Sequence, residues 1–298
     1  MDSGLLLLDK PEGPSSAQIV HKVKLLTGAK KVGHLGTLDP FASGLLLLGI
    51  NEGTKIADIF LAAPKSYRAV MILGVETDSQ DVTGSVVQAR SVPAIGPAEL
   101  QCLQREFSGN LQQVPPMFSA LKRGGVPLYK LARQGKEVPR EPRLITIEKL
   151  RLKKLGPNEI EFEVTCSRGT YVRTLAADMG KWLGCGAHLK SLRRIACGHL
   201  TVDRAATLDA LERLESKPRL SLLSLAKAVE HLRAVTWEHR LLSRLRLGQQ
   251  EILNHVGKPP AGEKLVRILD PRGSLVALAE WNEDPAGGRW RLLRVFQE

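Results

Sequence analysis

The chain has 298 residues, of which 43% are hydrophobic and 25% charged. This balance fits about two soluble domains and excludes a disordered or fibrous protein. A formal net charge of +12 favours a polyanionic partner, nucleic acid before an acidic membrane surface.

Gly4–Lys10 reads as a short buried strand closed by a Pro-Glu-Gly-Pro turn. Ser15 or Ser16 then caps a helix whose apolar face is Ile19, Val20, Val23 and Leu26, with Gly28 as its stop. Lys30–Gly44 is a glycine-punctuated loop, and Leu45–Ile50 is a continuous apolar run suited to a central strand. Tyr67–Val75 and Gly84–Ala89 read as paired strands, followed by a helix from Pro97 through Phe107 with Gly109 beyond its end. Val114–Arg143 differs in kind. It is rich in Pro and Gly, and it opens the basic stretch Leu121–Leu155, where eleven Lys or Arg stand against three Glu. It reads as an excursion from the core whose charge suits either a solvated face or contact with phosphates.

Strands return at Ile145–Leu152 and Glu159–Cys166, the latter alternating apolar and acidic residues, and a helix covers about Thr170 to Trp182. Thr207–Val229 is polar and helical in character. From about His231 the chain has short strand-like pieces, Lys264–Leu269, Leu275–Trp281 and Trp290–Phe296, separated by Asp270-Pro271-Arg272-Gly273 and Pro285-Ala286-Gly287-Gly288. This pattern divides the chain into a unit of residues 1–230 and a small β-rich domain at 231–298.

The four cysteines, Cys102, Cys166, Cys185 and Cys197, form no C-x-x-C pair, and the histidines are not at metal-ligand spacing. Reduced thiols in a cytoplasmic protein, without metal or cofactor, are the expectation. Leu5–Leu8 is too short for a signal peptide or a membrane span and lacks a basic n-region.

The segment Gly33-His34-Leu35-Gly36-Thr37-Leu38-Asp39-Pro40-Phe41-Ala42-Ser43-Gly44 brackets one carboxylate with glycines and a proline. Such a backbone can approach a ligand closely, so it is either an active-site loop or an ordinary turn with a capping Asp. It matches no phosphate-loop or dinucleotide pattern. The segment closely resembles the G-x-L-D-P core of the TruB family of pseudouridine synthases. Asp9-Lys10-Pro11-Glu12-Gly13-Pro14-Ser15-Ser16 resembles the family's early K-P-x-G segment, and Lys65-Ser66-Tyr67-Arg68-Ala69 its tyrosine-bearing strand. Thr77-Asp78-Ser79-Gln80-Asp81 resembles its T-D-x-x-D, and Pro115–Lys122 the start of its RNA-binding insertion. Cys166–Thr174 and Gly184–Arg194 complete a set that follows the family's order. Leu35 departs from the pattern, because bacterial members more often carry a polar or small residue there.

The resemblance implies an α+β fold with a mixed, mostly antiparallel central sheet and an RNA-binding thumb insertion at about 114–143. It further implies a small C-terminal β-barrel of PUA type acting as an auxiliary RNA contact. The implied reaction turns uridine 55 in the T loop of transfer RNA into pseudouridine, with no cofactor, metal or guide RNA, in a monomer. Asp39 would be the nucleophile, attacking C1′ or C6, and Arg173 its basic partner. Tyr67 would stack on the flipped uracil and help move the C5 proton. Tyr171 and Leu192 would line the same pocket, and His34 would fill the space that the base vacates. Lys122, Arg123, Lys130 and Arg133 would hold the phosphate backbone. Two rivals remain: a guide-RNA-dependent synthase, and a catalytically idle RNA-binding or RNA-folding protein.

Overall fold

The computed structural model describes residues 2–213, 221–283 and 287–297. Strand β1 (Gly4–Lys10) leads into helix α1 (Ser16–Thr27), followed by β2 (Val32–His34) and β3 (Ser43–Ile50). Ser15 caps α1 in a reciprocal capping box with Gln18, and Gly28, in the left-handed region, ends it. Helix α2 (Ala57–Ala62) precedes β4 (Lys65–Leu73), β5 (Val75–Thr77) and β6 (Val86–Ala89). Then come α3 (Pro97–Glu106), β7 (Gly109–Gln113), a small hairpin of β8 (Lys122–Arg123) and β9 (Val126–Pro127), and α4 (Leu128–Ala132). The long strands β10 (Arg143–Lys154) and β11 (Glu159–Cys166) lead to α5 (Val172–Trp182) and β12 (Ala187–Cys197). Short β13 (Leu200–Thr201), β14 (Ala206–Thr207), α6 (Leu208–Glu212) and α7 (Leu225–Ala228) follow. The C-terminal part holds β15 (Arg233–Thr236), α8 (His239–Arg246), β16 (Leu265–Leu269), β17 (Leu275–Asn282) and β18 (Arg289–Val295).

The main sheet runs in the order β14-β1-β3-β12-β4-β11-β10-β7, with β2 paired to β3 and β13 to β12. The β1–β14 and β3–β12 pairings are parallel and the others antiparallel, the mixed architecture expected. Both faces of its centre are buried, which explains the leucine runs. In β1, Leu6 and Leu8 enter one core while Leu5 and Leu7 enter the other. In β3, Leu46, Leu48 and Ile50 join the first, and Leu45 and Leu47 the second. α1 and α5 cover the first core with Ile19, Val23, Leu175 and Met179. The second is closed by Phe60 of α2 and by Leu275, Leu278 and Phe296 from the C-terminal part. Along β11, Ile160, Phe162 and Val164 are buried while Glu159 and Glu163 reach Lys190 and Arg68.

Several expectations change. Tyr67–Val75 and Gly84–Ala89 are not partners over their length. β4 lies between β11 and β12, and only β5, beyond Gly74, pairs with β6. Gly74 makes this break: its φ is +85°, and a Cβ there would meet the Arg90 carbonyl oxygen at 2.8 Å. The Gly184–Arg194 segment, read only as a motif, supplies the central strand β12. Within Thr207–Val229 the described residues form two short helices, and 214–220 lie outside the described residues. The C-terminal strands form an open sheet, β15-β16-β17-β18, in place of the expected closed barrel. Edge strands β15 and β18 do not pair; part of this sheet packs on the main sheet's second core, and Trp237, Leu242 and Trp290 build a core of its own. Pro285 and Ala286 of the expected turn lie outside the described residues.

The basic excursion springs from one point. Gln113 at the end of β7 and Arg143 at the start of β10 are register partners, so residues 114–142 leave and re-enter the sheet side by side.

Candidate active site

The loop after β2 carries Asp39, and four segments fix it. Ser16, at the start of α1, donates its hydroxyl to the Leu38 carbonyl (3.0 Å) and accepts the Leu38 amide (2.8 Å). The Gly13 amide and the Lys10 ammonium both donate to the Pro40 carbonyl, at 2.8 and 3.2 Å. From β12, Arg194 donates to the carbonyls of Gly36 (3.0 Å), Thr37 (3.1 Å) and Leu45 (2.7 Å). Gly44 lets β3 and β12 come this close, since a Cβ on it would lie 2.3 Å from the Arg194 carbonyl oxygen. Leu35 turns away from the loop's polar side into the second core, 2% exposed, which suits an apolar residue at that position.

Arg173 in the first turn of α5 meets Asp39. Its Nε donates to Asp39 Oδ2 at 2.9 Å, Nη1 to the Ser79 carbonyl at 2.7 Å, and Nη2 to the Phe118 carbonyl at 2.8 Å. Asp81 stands 3.5 Å from Nη1. The Arg173 side chain is 5% exposed and that of Asp39 38% exposed, so a buried, fully engaged guanidinium aims an accessible carboxylate. Asp81 is itself held by the Ser79 hydroxyl (2.8 Å) and the Thr83 amide (2.9 Å). The Thr77–Asp81 motif thereby backs Arg173 from the side away from Asp39.

A cavity of about 120 Å³ opens over the carboxylate, lined by Thr37, Leu38, Asp39, Tyr67, Thr170, Tyr171, Val172, Arg173 and Leu192. The structure thus brings together Asp39, Tyr67, Tyr171, Arg173 and Leu192, drawn from the β2–β3 loop, β4, the entry to α5 and β12. Burial pushes the Tyr67 hydroxyl up to about 12, a shift that the neighbouring Arg194 guanidinium partly offsets. Burial likewise raises the Tyr171 phenol, opposed by the nearby Ser119 hydroxyl and the Arg143 charge.

His34 is placed otherwise. It ends β2, exposed, and does not line the cavity. Loss of solvation from the protein around it, and then the Arg194 charge, lower its pKa. Lys122, Arg123, Lys130 and Arg133 are exposed on the excursion, away from the cavity lining. The Arg123 guanidinium donates to the Pro139 carbonyl, and that of Arg133 lies 5.7 Å from the Tyr129 ring centre. Among the described residues, no three of His, Cys, Asp or Glu are grouped to hold a metal ion. No described helix is long and apolar enough to cross a membrane.

Sequence reasoning did not single out Lys10, Ser16, Gln113 and Arg194. Each holds backbone, and a backbone partner leaves no mark in the side-chain pattern of a sequence. The available signals were that Lys10 and Ser16 stand within the Asp9–Ser16 motif and that Arg194 ends the Gly184–Arg194 motif.

Residues 24–172 match the model of the TruB family pseudouridylate synthase N-terminal domain. Residues 173–233 match that of the tRNA pseudouridylate synthase B C-terminal domain. The tRNA pseudouridine synthase B of Geobacter sulfurreducens is 43% identical over 98% of this chain and 99% of its own. The chain belongs to the TruB family. The family relative in Burkholderia mallei, also a tRNA pseudouridine synthase B, is 45% identical over 94% of this chain and 93% of its own. Among solved structures, a crystal structure of a Cbf5-Nop10-Gar1 complex matches with a TM-score of 0.73 and 26% identity, over 99% of this chain and 85% of that one. The pseudouridine synthase fold, α+β with a mixed central sheet and a C-terminal sheet domain, is therefore that of this TruB-family chain.

Proposed function

We propose that this protein isomerises uridine 55 in the T loop of transfer RNA to pseudouridine, without a guide RNA. The observation that carries the reading is the Asp39–Arg173 pair, 2.9 Å apart, at the floor of a small cavity walled by Tyr67, Tyr171 and Leu192. A flipped pyrimidine leaves its stack, and Tyr67 replaces part of that loss at ~1–3 kcal/mol per base. The Asp39 carboxylate attacks the nucleotide covalently, at C1′ or C6, as the bond from N1 to C1′ breaks. The base turns, C5 bonds to C1′, and Asp39 leaves as a carboxylate when its own bond to the nucleotide breaks. The C5–H bond then breaks, its electron pair restores the C5–C6 double bond, and the Tyr67 oxygen takes that proton as its own hydroxyl proton passes to solvent. N1 takes a proton from solvent, so the rearrangement neither adds nor removes a group.

His34, outside the cavity and with a lowered pKa, fits a neutral wedge in the vacated stack rather than a proton carrier. The excursion at 114–143 is the RNA-gripping thumb, with Lys122, Arg123, Lys130 and Arg133 on the phosphates. Residues 231–298 form a separate PUA-like domain that adds an outer RNA contact, and the protein works as a cytoplasmic monomer. Guide independence is supported by the identities, 43% to the Geobacter enzyme against 26% to the Cbf5 complex.

The test is incubation with an unmodified transfer-RNA transcript, without guide RNA, followed by mapping of pseudouridine. Product at position 55 is expected. RNA binding without product would favour the RNA-folding reading instead.

A further inference from the structure

Arg194 is 3% exposed, yet its partners are not carboxylates. Three of its five N–H groups go to the carbonyls of Gly36, Thr37 and Leu45. Tyr67 is its register partner across the β12–β4 strand pair, so the guanidinium charge stands beside the Tyr67 phenol. Carbonyl dipoles satisfy its donors but do not cancel its charge, and a buried charge left in that state acts on whatever lies near it. Lys10, His34 and Lys65 all register it, each with a pKa lowered in part by Arg194.

We propose that Arg194 is the positioning residue of this site, locking the Asp39 loop and its strand neighbour Tyr67 into one geometry and setting a positive charge beside the Tyr67 phenol. The inference rests on the reading of Tyr67 as the acceptor of the C5 proton. Its physical logic is local. Arg194 and Tyr67 are opposed across neighbouring strands, so a charge on one acts directly on the other. The other groups facing the Tyr67 hydroxyl are Cys166 and Cys197, from β11 and β12. Burial raises both thiols, Cys166 to about 12, and so keeps them neutral. The charge that acts on the phenol is thus that of Arg194. The same side chain spans both edges of the nucleophile loop, so displacing it shifts Asp39 and Tyr67 relative to each other.

The chain has only three tyrosines, Tyr67, Tyr129 and Tyr171, so fluorotyrosine labelling gives three fluorine resonances that single Tyr→Phe variants assign. Fluorination also brings phenol ionisation into a range that the folded protein tolerates. In Arg194→Met the Tyr67 titration should move up by at least about one pH unit, a tenfold change in ionisation. The single-turnover rate on transfer RNA should fall by about 10²-fold or more with little change in RNA affinity. Arg194→Lys should keep most of the titration, because it keeps the charge, but still lose rate, because one ammonium cannot span three carbonyls. If Arg194→Met does not fold, Arg194→Gln gives the same reading, and in the parent protein Tyr67→Phe should shift the Arg194 guanidinium nitrogen resonances. An unmoved Tyr67 titration in a folded, uncharged variant, or unmoved guanidinium resonances in Tyr67→Phe, overturns the proposal. Full activity of Tyr67→Phe beside a shifted Tyr67 titration would instead overturn the proton-acceptor reading and leave the Arg194–Tyr67 coupling standing.

Discussion

Gln113 holds Tyr171 by both of its backbone polar groups: the Tyr171 amide donates to Gln113 Oε1 at 2.8 Å, and Gln113 Nε2 donates to the Tyr171 carbonyl at 3.1 Å. Gln113 is the last residue before the basic excursion, and Tyr171 is the N-cap of the helix that carries Arg173. The excursion's own Phe118 carbonyl accepts from Arg173. The root of the basic excursion and the residue that aims Asp39 are therefore mechanically joined.

Gln113→Leu would leave the half-buried Tyr171 amide without its partner, while the Tyr171 carbonyl keeps the Leu175 amide at 3.0 Å, at a cost of about 1–3 kcal/mol. Urea unfolding should show that loss, and single-turnover kinetics should show a lower rate constant with little change in RNA affinity. Wild-type turnover in the variant would show that the clamp serves stability alone.

Asp39→Asn keeps the side chain's size and removes the proposed nucleophile. Product formation should fall by at least about 10⁴-fold while transfer-RNA binding persists. Measurable turnover at a rate near the parent's would sink the assignment of Asp39.

Arg173→Lys tests aim rather than charge. The guanidinium reaches Asp39, the Ser79 carbonyl and the Phe118 carbonyl at once, and an ammonium cannot bridge all three. A loss of roughly 10²-fold in the chemical step is expected. A rate equal to the parent's would mean that positive charge alone suffices.

Neutralising Lys122, Arg123, Lys130 and Arg133 together should weaken RNA binding and flatten its dependence on salt. If all four sit on phosphates, the slope of log K against log salt should drop by roughly 3. An unchanged slope would move the RNA path off the excursion.

Lys10 is fully buried beside the Asp39 loop. Burial lowers its pKa from 10.5 to about 8; the charges of Glu12 and Asp39 oppose the shift, and that of Arg194 adds to it. The folded state therefore releases this proton near pH 8, while the unfolded chain keeps it to about 10.5. Between these values the unfolded state binds more protons, so stability should rise with pH. Below about pH 8 the burden of burying the charge is constant. Urea midpoints of the parent relative to Lys10→Met should rise from about pH 8 to about pH 10, and parallel profiles would show that Lys10 titrates as if exposed.

Much of this protein is written locally. The capping box of α1, the stop at Gly28, the alternation along Glu159–Cys166 and the punctuated Asp39 loop need only near neighbours in the chain to be read. The basic excursion was legible for the same reason, since charge and Pro/Gly content are properties of a segment. The motifs sufficed to group Asp39, Tyr67, Tyr171, Arg173 and Leu192, and a single cavity holds all five.

Pairing partners were not legible. Tyr67–Val75 could have paired with Gly84–Ala89, and only the chain's turn at Gly74, together with the competing edges of β11 and β12, decides otherwise. Whether the C-terminal strands close into a barrel or stay open depends on which apolar face packs against the main sheet, a contact between segments far apart in the chain.

By itself, then, the sequence determined the local elements, the place of the positive charge and the residue types of the chemistry. Tertiary structure decided the strand order and the supports of the site. Lys10, Ser16, Gln113 and Arg194 work through hydrogen bonds to distant backbone, and the carbonyl or amide they bind is the same in every residue type, so no pattern of side chains announces it.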